Sequence, residues 1–281
     1  MPHLNISTLK GALWGALAGD FFARYPHQDL YLNYDLESFS PYLEVIFIGF
    51  ERIIKDNSFN VETWVKEMKN NNCYIQGLII ADNEQNIVIP LEIALLPLIL
   101  SCYESKNKLE HNLDQLDLSL NINNDNRENI FNLHLIINCI LTHNNNNITQ
   151  VFDLNSSEKI EKIKQFINHK KNINELEKEF KQHYHQQEIG LYQGIYSFLS
   201  LSNYVELSLL RSTNFKNQKS STSILTGFLL GLHNGYHALP FSLKKYFQLI
   251  PIVKEKNIDL LSQQFIDNWQ GKYTKNPLSK F

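Results

Sequence analysis

Two pairs of histidines are close enough in the sequence to be considered as metal ligands. His233 and His237 are four residues apart, the separation at which two imidazoles on one helix face can hold zinc. Gly235 stands between them, however, and is expected to end that helix. His183 and His185 are two residues apart and fall on different faces of a helix. Neither pair has a third ligand nearby, so the sequence predicts no metal at these histidines and no cofactor.

Hydroxyl side chains gather ahead of the last long apolar segment. They are Ser212, Thr213, Ser220, Ser221, Thr222 and Ser223. Such a stretch could bind a phosphate, but a solvated loop that leads into a helix N-cap is the simpler interpretation. The sequence shows no Ser-His-Asp or Cys-His pairing and no glycine loop of the kind that cradles phosphates.

The overall composition favours a globular protein. The 281 residues are 43% hydrophobic and 20% charged, with a net charge of -3. No long basic run is present, so nucleic acid is not expected as a partner. Cys73, Cys102 and Cys139 are scattered, which predicts three buried or half-buried thiols in a reducing cytoplasm. Residues 86–103 approach the length of a membrane span but include Glu92 and two prolines, so a buried core helix is expected instead, in a soluble protein.

The hydrophobic spacing predicts helices along almost the whole sequence, with sparse strand signals and no obvious repeat. Two polar segments rich in asparagine, 104–128 and 144–156, are predicted as exposed loops, the first with room for one short helix. The predicted helices cover 9–24, 41–55, 61–70, 87–103 (with Pro97 as a point of breakage), 129–143, one or two within 156–187, 188–200, 203–211, 221–235, 241–247 and 257–269.

Two of these helices carry glycines on a single face. The first helix has Gly11, Gly15 and Gly19. The later helix has Gly227, Gly231 and Gly235 at the same four-residue spacing. Each glycine inside a helix costs about 1 kcal/mol relative to alanine. A ridge without side chains lets another backbone come close, so both helices are predicted to pack tightly within one core.

Both ends of the chain resemble the ADP-ribosylglycohydrolase family, which removes ADP-ribose from arginine and includes the enzyme that reactivates dinitrogenase reductase. The family begins with a helix of the form G-A-L-x-G-x-x-x-G-D, and residues 11–20 read GALWGALAGD. Near its end the family has D-x-D-T, then A-G-A-L-x-G, a glycine and A-I-P, and residues 218–240 read QKSSTSILTGFLLGLHNGYHALP. The resemblance covers roughly 9–65 and 188–245.

The resemblance implies a single all-α domain and a cleft that usually holds two magnesium ions. The family's Thr-Asp-Asp segment matches Ser40, Pro41 and Tyr42 here, and its Asp-x-Asp-Thr segment matches residues 218–221. All four carboxylates are missing, and Lys219 adds a cation. The family's glutamate soon after the glycine-aspartate pair and its central Asn-Gly-x-x-Met-Arg segment have no counterpart. Magnesium requires oxygen ligands that offset its charge, so no metal is expected.

What remains is a vestigial cleft of Ser40, Tyr42, Gln218, Ser220 and Ser221, whose first four members are expected to face one another. By the same resemblance Asp20 is structural and bonds to backbone at a helix end.

Three functions stay open. The first is a pseudoenzyme that binds a protein partner or ligand in a regulatory or assembly role. The second is a hydrolase with an atypical or metal-free site, and the third is a structural subunit of a larger assembly.

Overall fold

The fold was obtained as a computed structural model, which describes residues 4–25, 37–76, 87–120, 122–142, 157–169 and 171–272. The described residues form an all-α domain built around one continuous apolar core. Its helices are α1 (Ile6–Arg24), α2 (Pro41–Asp56), α3 (Val61–Asn70), α4 (Leu91–Ala94), α5 (Leu96–Ser101), α6 (Lys106–Leu120), α7 (Asn124–Thr142), α8 (Glu158–His169), α9 (Ile173–His183), α10 (Ile189–Ser200), α11 (Val205–Thr213), α12 (Lys219–Asn234), α13 (Phe241–Leu249), α14 (Pro251–Lys256) and α15 (Ile258–Trp269), with a 3₁₀ turn at Tyr236–Ala238.

The centre of the fold is the antiparallel pair of α1 and α12. A Cβ placed on Gly15 would lie 2.0 Å from the carbonyl oxygen of Gly227, and one placed on Gly231 would lie 1.8 Å from that of Gly11. No side chain fits into such gaps, so the two backbones touch directly and Cα–H groups approach carbonyl oxygens. The predicted close packing of the two glycine helices is therefore confirmed, and the helices are each other's partners.

Both helices of this pair have sequence-encoded ends. Asn5 caps α1 through a reciprocal pair of hydrogen bonds with Thr8. Gly235 closes α12 with φ at 73°, a left-handed conformation that glycine adopts without strain, and its N–H donates to the Gly231 carbonyl. The prediction that Gly235 ends this helix is confirmed.

A second small-residue face packs on the other side of α12. Gly190 and Gly194 of α10 are four residues apart, and a Cβ on Gly190 would lie 2.3 Å from the Ser221 hydroxyl oxygen. Thr222 and Thr226 donate hydrogen bonds from α12 to the carbonyl oxygens of these two glycines. The helix α12 is therefore enclosed by α1 and α10, and its residues from Ser221 to His233 are all buried.

The apolar segment around Pro97 is two short helices and not one long one. Proline cannot donate to the preceding turn, and the chain breaks at Leu95 before restarting as α5 with Pro97 in its first turn. The predicted helix from 87 is wrong over its first residues, because Ile89 instead forms an isolated parallel bridge with Ile75. Glu92, Leu96 and their neighbours are buried, as expected.

The prediction of a loop over 104–128 is wrong. Residues 106–120 form α6, which buries Leu109, Leu113 and Leu116 against the core, and α7 already begins at Asn124. The leucines follow the helical spacing, but the many asparagine, aspartate and lysine residues between them concealed it. The other predicted loop, 144–156, lies outside the described residues.

The remaining helices agree with the sequence in position. Residues 156–187 contain two amphipathic helices, α8 and α9, which bury Ile163, Phe166 and Phe180. The short helix α14 was not predicted, although Pro251 begins it in the usual manner. All three cysteines are buried free thiols. Among the described residues no helix has the length and apolar content needed to cross a membrane.

Candidate functional site

The glycine ridge of α1 ends at a carboxylate that joins α1 to α2. Asp20 is fully buried, and its Oδ2 accepts hydrogen bonds from the Ser40 backbone N–H at 3.2 Å and from Arg24 Nη2 at 2.5 Å. Arg24 also donates to the Ser38 carbonyl oxygen. Asp20 therefore orders the chain just before α2, which agrees with the structural role expected for it.

The first two residues of the expected cleft have structural partners in α2. The Ser40 hydroxyl oxygen accepts from the Leu43 N–H at 3.4 Å and caps the helix, with the serine itself buried. Tyr42 is half-buried and packs against the core, and this burial raises the pKa of its hydroxyl. Neither side chain is an anion at neutral pH.

The other cleft residues form the first turn of α12. Gln218 precedes the helix in a left-handed conformation, with φ at 54°. The buried Ser221 hydroxyl donates to the Gln218 carbonyl oxygen at 2.9 Å, and Ser220 is half-exposed. The expectation of a solvated hydroxyl-rich loop is wrong, because every member of that stretch except Ser220 is buried and packing of α10 and α11 on α12 covers it.

The segment just before α2 and the first turn of α12 both lie near the C-terminal end of α1. Asp20 holds the Ser40 N–H, and its neighbour Gly19 lies against the Ser223 backbone of α12, where a Cβ on Gly19 would be 2.0 Å from the Ser223 oxygen. The helix α2 also contacts α12. Within the described part of the chain no hydrogen bond joins Ser40 or Tyr42 to α12, so their facing Gln218 and Ser220 stays a prediction.

A pocket of about 570 Å³ opens beside Gln218. Its volume is within the range that small ligands occupy. Carboxamide side chains dominate its wall. The described residues that line it are Gln76, Asn123, Asp125, Asn126, Asn129, His185, Gln186, Gln187, Glu188 and Gln218.

Glu188 is the buried acid of this pocket, with 4% of its surface exposed. Its Oε1 accepts from Lys159 Nζ at 2.7 Å and from Asn129 Nδ2 at 3.1 Å, and its Oε2 accepts from the His185 N–H at 3.3 Å. Partial burial disfavours the charge on Lys159, but Glu188 and Glu128 outweigh that effect and raise its pKa. The charge of Glu188 is therefore already matched within the protein.

Next to the pocket wall, the hydroxyl group of Tyr192 both donates and accepts a hydrogen bond. The Tyr192 hydroxyl donates to Asn129 Oδ1 at 2.8 Å and accepts from Asn132 Nδ2 at 2.9 Å. The Tyr184 ring stacks on Tyr192 at 4.4 Å, and its hydroxyl donates to the Lys159 carbonyl oxygen. Burial raises the pKa of both phenols. This network joins α7, α8 and α10 and fixes Asn129 on the pocket wall.

A buried carboxyl group that forms no ion pair with any described residue lies close to this network, and the charge of Lys159 acts on it only from a distance. Glu92 is 2% exposed, and burial raises its pKa to about 7, to which the negative charge of Glu188 adds. Glu92 does not line the pocket. Sequence reasoning missed the chemistry of this residue, although a lone glutamate within an apolar run was a usable signal.

The histidine pairs do not form a metal site. His233 is buried within α12 against Phe198, burial lowers its pKa, and His237 is exposed beyond Gly235. His183 is near Glu179 on the surface of α9. In the part of the chain that the structure describes, no three histidine, cysteine, aspartate or glutamate side chains are grouped to hold a metal ion.

A larger groove of about 1060 Å³ lies between α2 and the helices α14 and α15. An ion pair between Lys256 and Glu51, 2.6 Å long, joins its two walls. None of the cleft residues expected from the sequence lines it. The smaller pocket is therefore the better candidate, because Gln218 lies on its wall.

Compared with protein-family models and with curated proteins, the sequence matches none of them. The resemblance of its two glycine motifs to the ADP-ribosylglycohydrolases therefore stays a prediction.

Proposed function

We propose that the chain is a catalytically inactive, ADP-ribosylglycohydrolase-like protein of the cytoplasm, which acts by binding a ligand or protein partner in a regulatory or assembly role. The motif residues Gly11, Gly15, Gly227 and Gly231 support the family likeness, because they form one close interface. The three free thiols support a reducing compartment.

The proposal rests on one observation, the lack of suitable metal ligands among the described residues around Gln218. A neutral carboxamide lines the pocket where the family has a metal-binding carboxylate, and Ser40 and Ser221 use their hydroxyl groups in local hydrogen bonds. Glu188, the nearby buried carboxylate, is paired with Lys159. A magnesium ion entering here would lose most of its hydration, and among the described lining residues only Asp125 offers it a carboxylate free of hydrogen bonds, which is too few charged ligands.

The alternative is a hydrolase with a metal-free site, and Glu92 is the residue that favours it. A carboxyl group with a pKa near 7 is suited to general acid–base chemistry. A general acid must reach the substrate, however, and Glu92 is buried away from the pocket wall. Binding is therefore the better-supported function.

Calorimetric titration with millimolar magnesium or manganese tests the proposal. We expect no saturable heat from the natural protein. The variant Gln218→Asp with Ser220→Asp and Tyr42→Asp restores carboxylates at the family's positions, and metal binding by that variant would show that the method detects such a site. Saturable metal binding by the natural protein, removed by Ser220→Ala, would contradict the proposal.

A further inference from the structure

We propose that the pocket beside Gln218 binds a small ligand through a primary ammonium group. The inference rests on the binding role proposed above and names the ligand chemistry of that pocket. Such a group belongs either to a free organic amine or to a lysine side chain of another protein.

The charges on the pocket wall favour a cation. Asp125 and Glu188 line the pocket, and no lysine or arginine of the described chain does. One ammonium group beside the lining carboxylates, Lys159 Nζ, lies 2.7 Å from Glu188, 3.2 Å from Glu128 and 3.9 Å from Asp125. Three carboxylates thus surround one cation, and an excess of negative charge remains beside the pocket. A phosphate-bearing ligand would be repelled there.

Asp125 is the carboxylate available to a ligand. Its side chain is 57% exposed, and Lys159, at 3.9 Å, is too far for a hydrogen bond. Glu188 is different, because its oxygens already accept three hydrogen bonds. An entering ammonium group would therefore pair with Asp125 without displacing a hydrogen bond within the protein.

Asn126 supplies the second, independent sign of a ligand. It is 9% exposed and lines the pocket, yet its carboxamide makes no hydrogen bond with any described residue. Its amide atoms are not among the side-chain atoms that are shut off from solvent without a partner, so they are open to the pocket and available to a ligand. An ammonium group donates up to three hydrogen bonds, so one ligand can satisfy both the Asp125 carboxylate and the Asn126 oxygen.

A matched pair of probes tests the charge preference. Cadaverine and 1,5-pentanediol have the same carbon chain and differ in their end groups, and ADP-ribose provides an anion. In calorimetry at low salt we expect cadaverine to bind at least about tenfold more tightly than the diol, less tightly as salt is added, and ADP-ribose not to bind. Equal affinity for the diol, a preference for ADP-ribose, or no binding of any ammonium probe would overturn the proposal.

A fourth probe, Nα-acetyl-lysine methylamide, separates the two sources of the ammonium group. Binding of cadaverine alone identifies a free amine, whereas binding of the lysine derivative in preference to cadaverine identifies a protein side chain. Each outcome supports the ammonium chemistry. Failure of all ammonium probes would leave the inactive-enzyme proposal standing, since that proposal is contradicted by metal binding and turnover.

Two variants locate the binding. Asp125→Asn should weaken cadaverine binding at least about tenfold, whereas Asp259→Asn, also 57% exposed but away from this pocket, should not. Asn126→Leu should reduce binding while leaving the melting temperature equal or higher, because that carboxamide has no protein partner among the described residues. A lowered melting temperature with unchanged binding would show that Asn126 is structural and would overturn its assignment.

Discussion

The α1–α12 interface and the polar network between α7, α8 and α10 connect helices in opposite ways. At the interface, glycines at four-residue spacing remove every side chain, and the backbones touch. In the network, long side chains such as Glu188 and Tyr192 bridge the helices by hydrogen bonds. An added carbon atom should therefore destabilise the interface, whereas removal of an oxygen atom should destabilise the network.

The largest effect is expected from Gly15→Ala. The new Cβ would lie 2.0 Å from the Gly227 carbonyl oxygen, and backbone on both sides leaves no room for adjustment. We expect a loss of more than about 4 kcal/mol, measured by chemical denaturation. In the control Gly194→Ala the Cβ would lie 3.0 Å from a Leu225 methyl group, which can move, and 3.2 Å from the Thr222 carbonyl oxygen, so the loss of stability should be clearly smaller. Equal stability of the two variants would refute direct backbone contact.

The next effect tests the network. Tyr192→Phe removes one hydroxyl group and leaves two atoms, Asn129 Oδ1 and Asn132 Nδ2, each without its buried partner. At about 2 kcal/mol for each unsatisfied group, the unfolding free energy should fall by about 4 kcal/mol. Tyr204→Phe, at a tyrosine that is 62% exposed, is the matched control and should change little. A loss below about 1 kcal/mol at Tyr192 would mean that water replaces the hydroxyl group.

A smaller effect comes from Glu92 and depends on pH. Its folded-state pKa, about 7, is above the ordinary value of 4.5, so the folded state holds this proton more tightly than the unfolded state does. The stabilisation is present below about pH 4.5 and is lost as the pH rises through about 7. Glu92→Gln should therefore gain up to about 3 kcal/mol at pH 8 and little at pH 5. The exposed Glu110→Gln serves as control, and a pH-independent difference would contradict the assignment.

The sequence alone predicts the glycine interface, because glycines at four-residue spacing leave one helix face without side chains and so favour the close approach of another backbone. It also predicts the helix ends at Pro41 and Gly235, whose backbone preferences are local. Gly190 and Gly194 have the same spacing and could have been recognised in the same manner.

The candidate pocket could not be predicted in this way. Its network pairs Asn129 with Glu188 and Asn132 with Tyr192, residues 59 and 60 positions apart, and no local pattern encodes such contacts. The helix α6 was missed for a different reason, because its leucines follow the helical spacing but polar residues between them conceal the pattern. Local preferences therefore determine the helices, whereas the site depends on how the helices come together.

The most direct test of the account is release of ADP-ribose from ADP-ribosyl-arginine, followed with and without millimolar magnesium. We expect no release above the buffer blank in either condition, because Gln218, Ser220 and Tyr42 provide no carboxylate for a metal. Magnesium-dependent release that Ser220→Ala abolishes would contradict it.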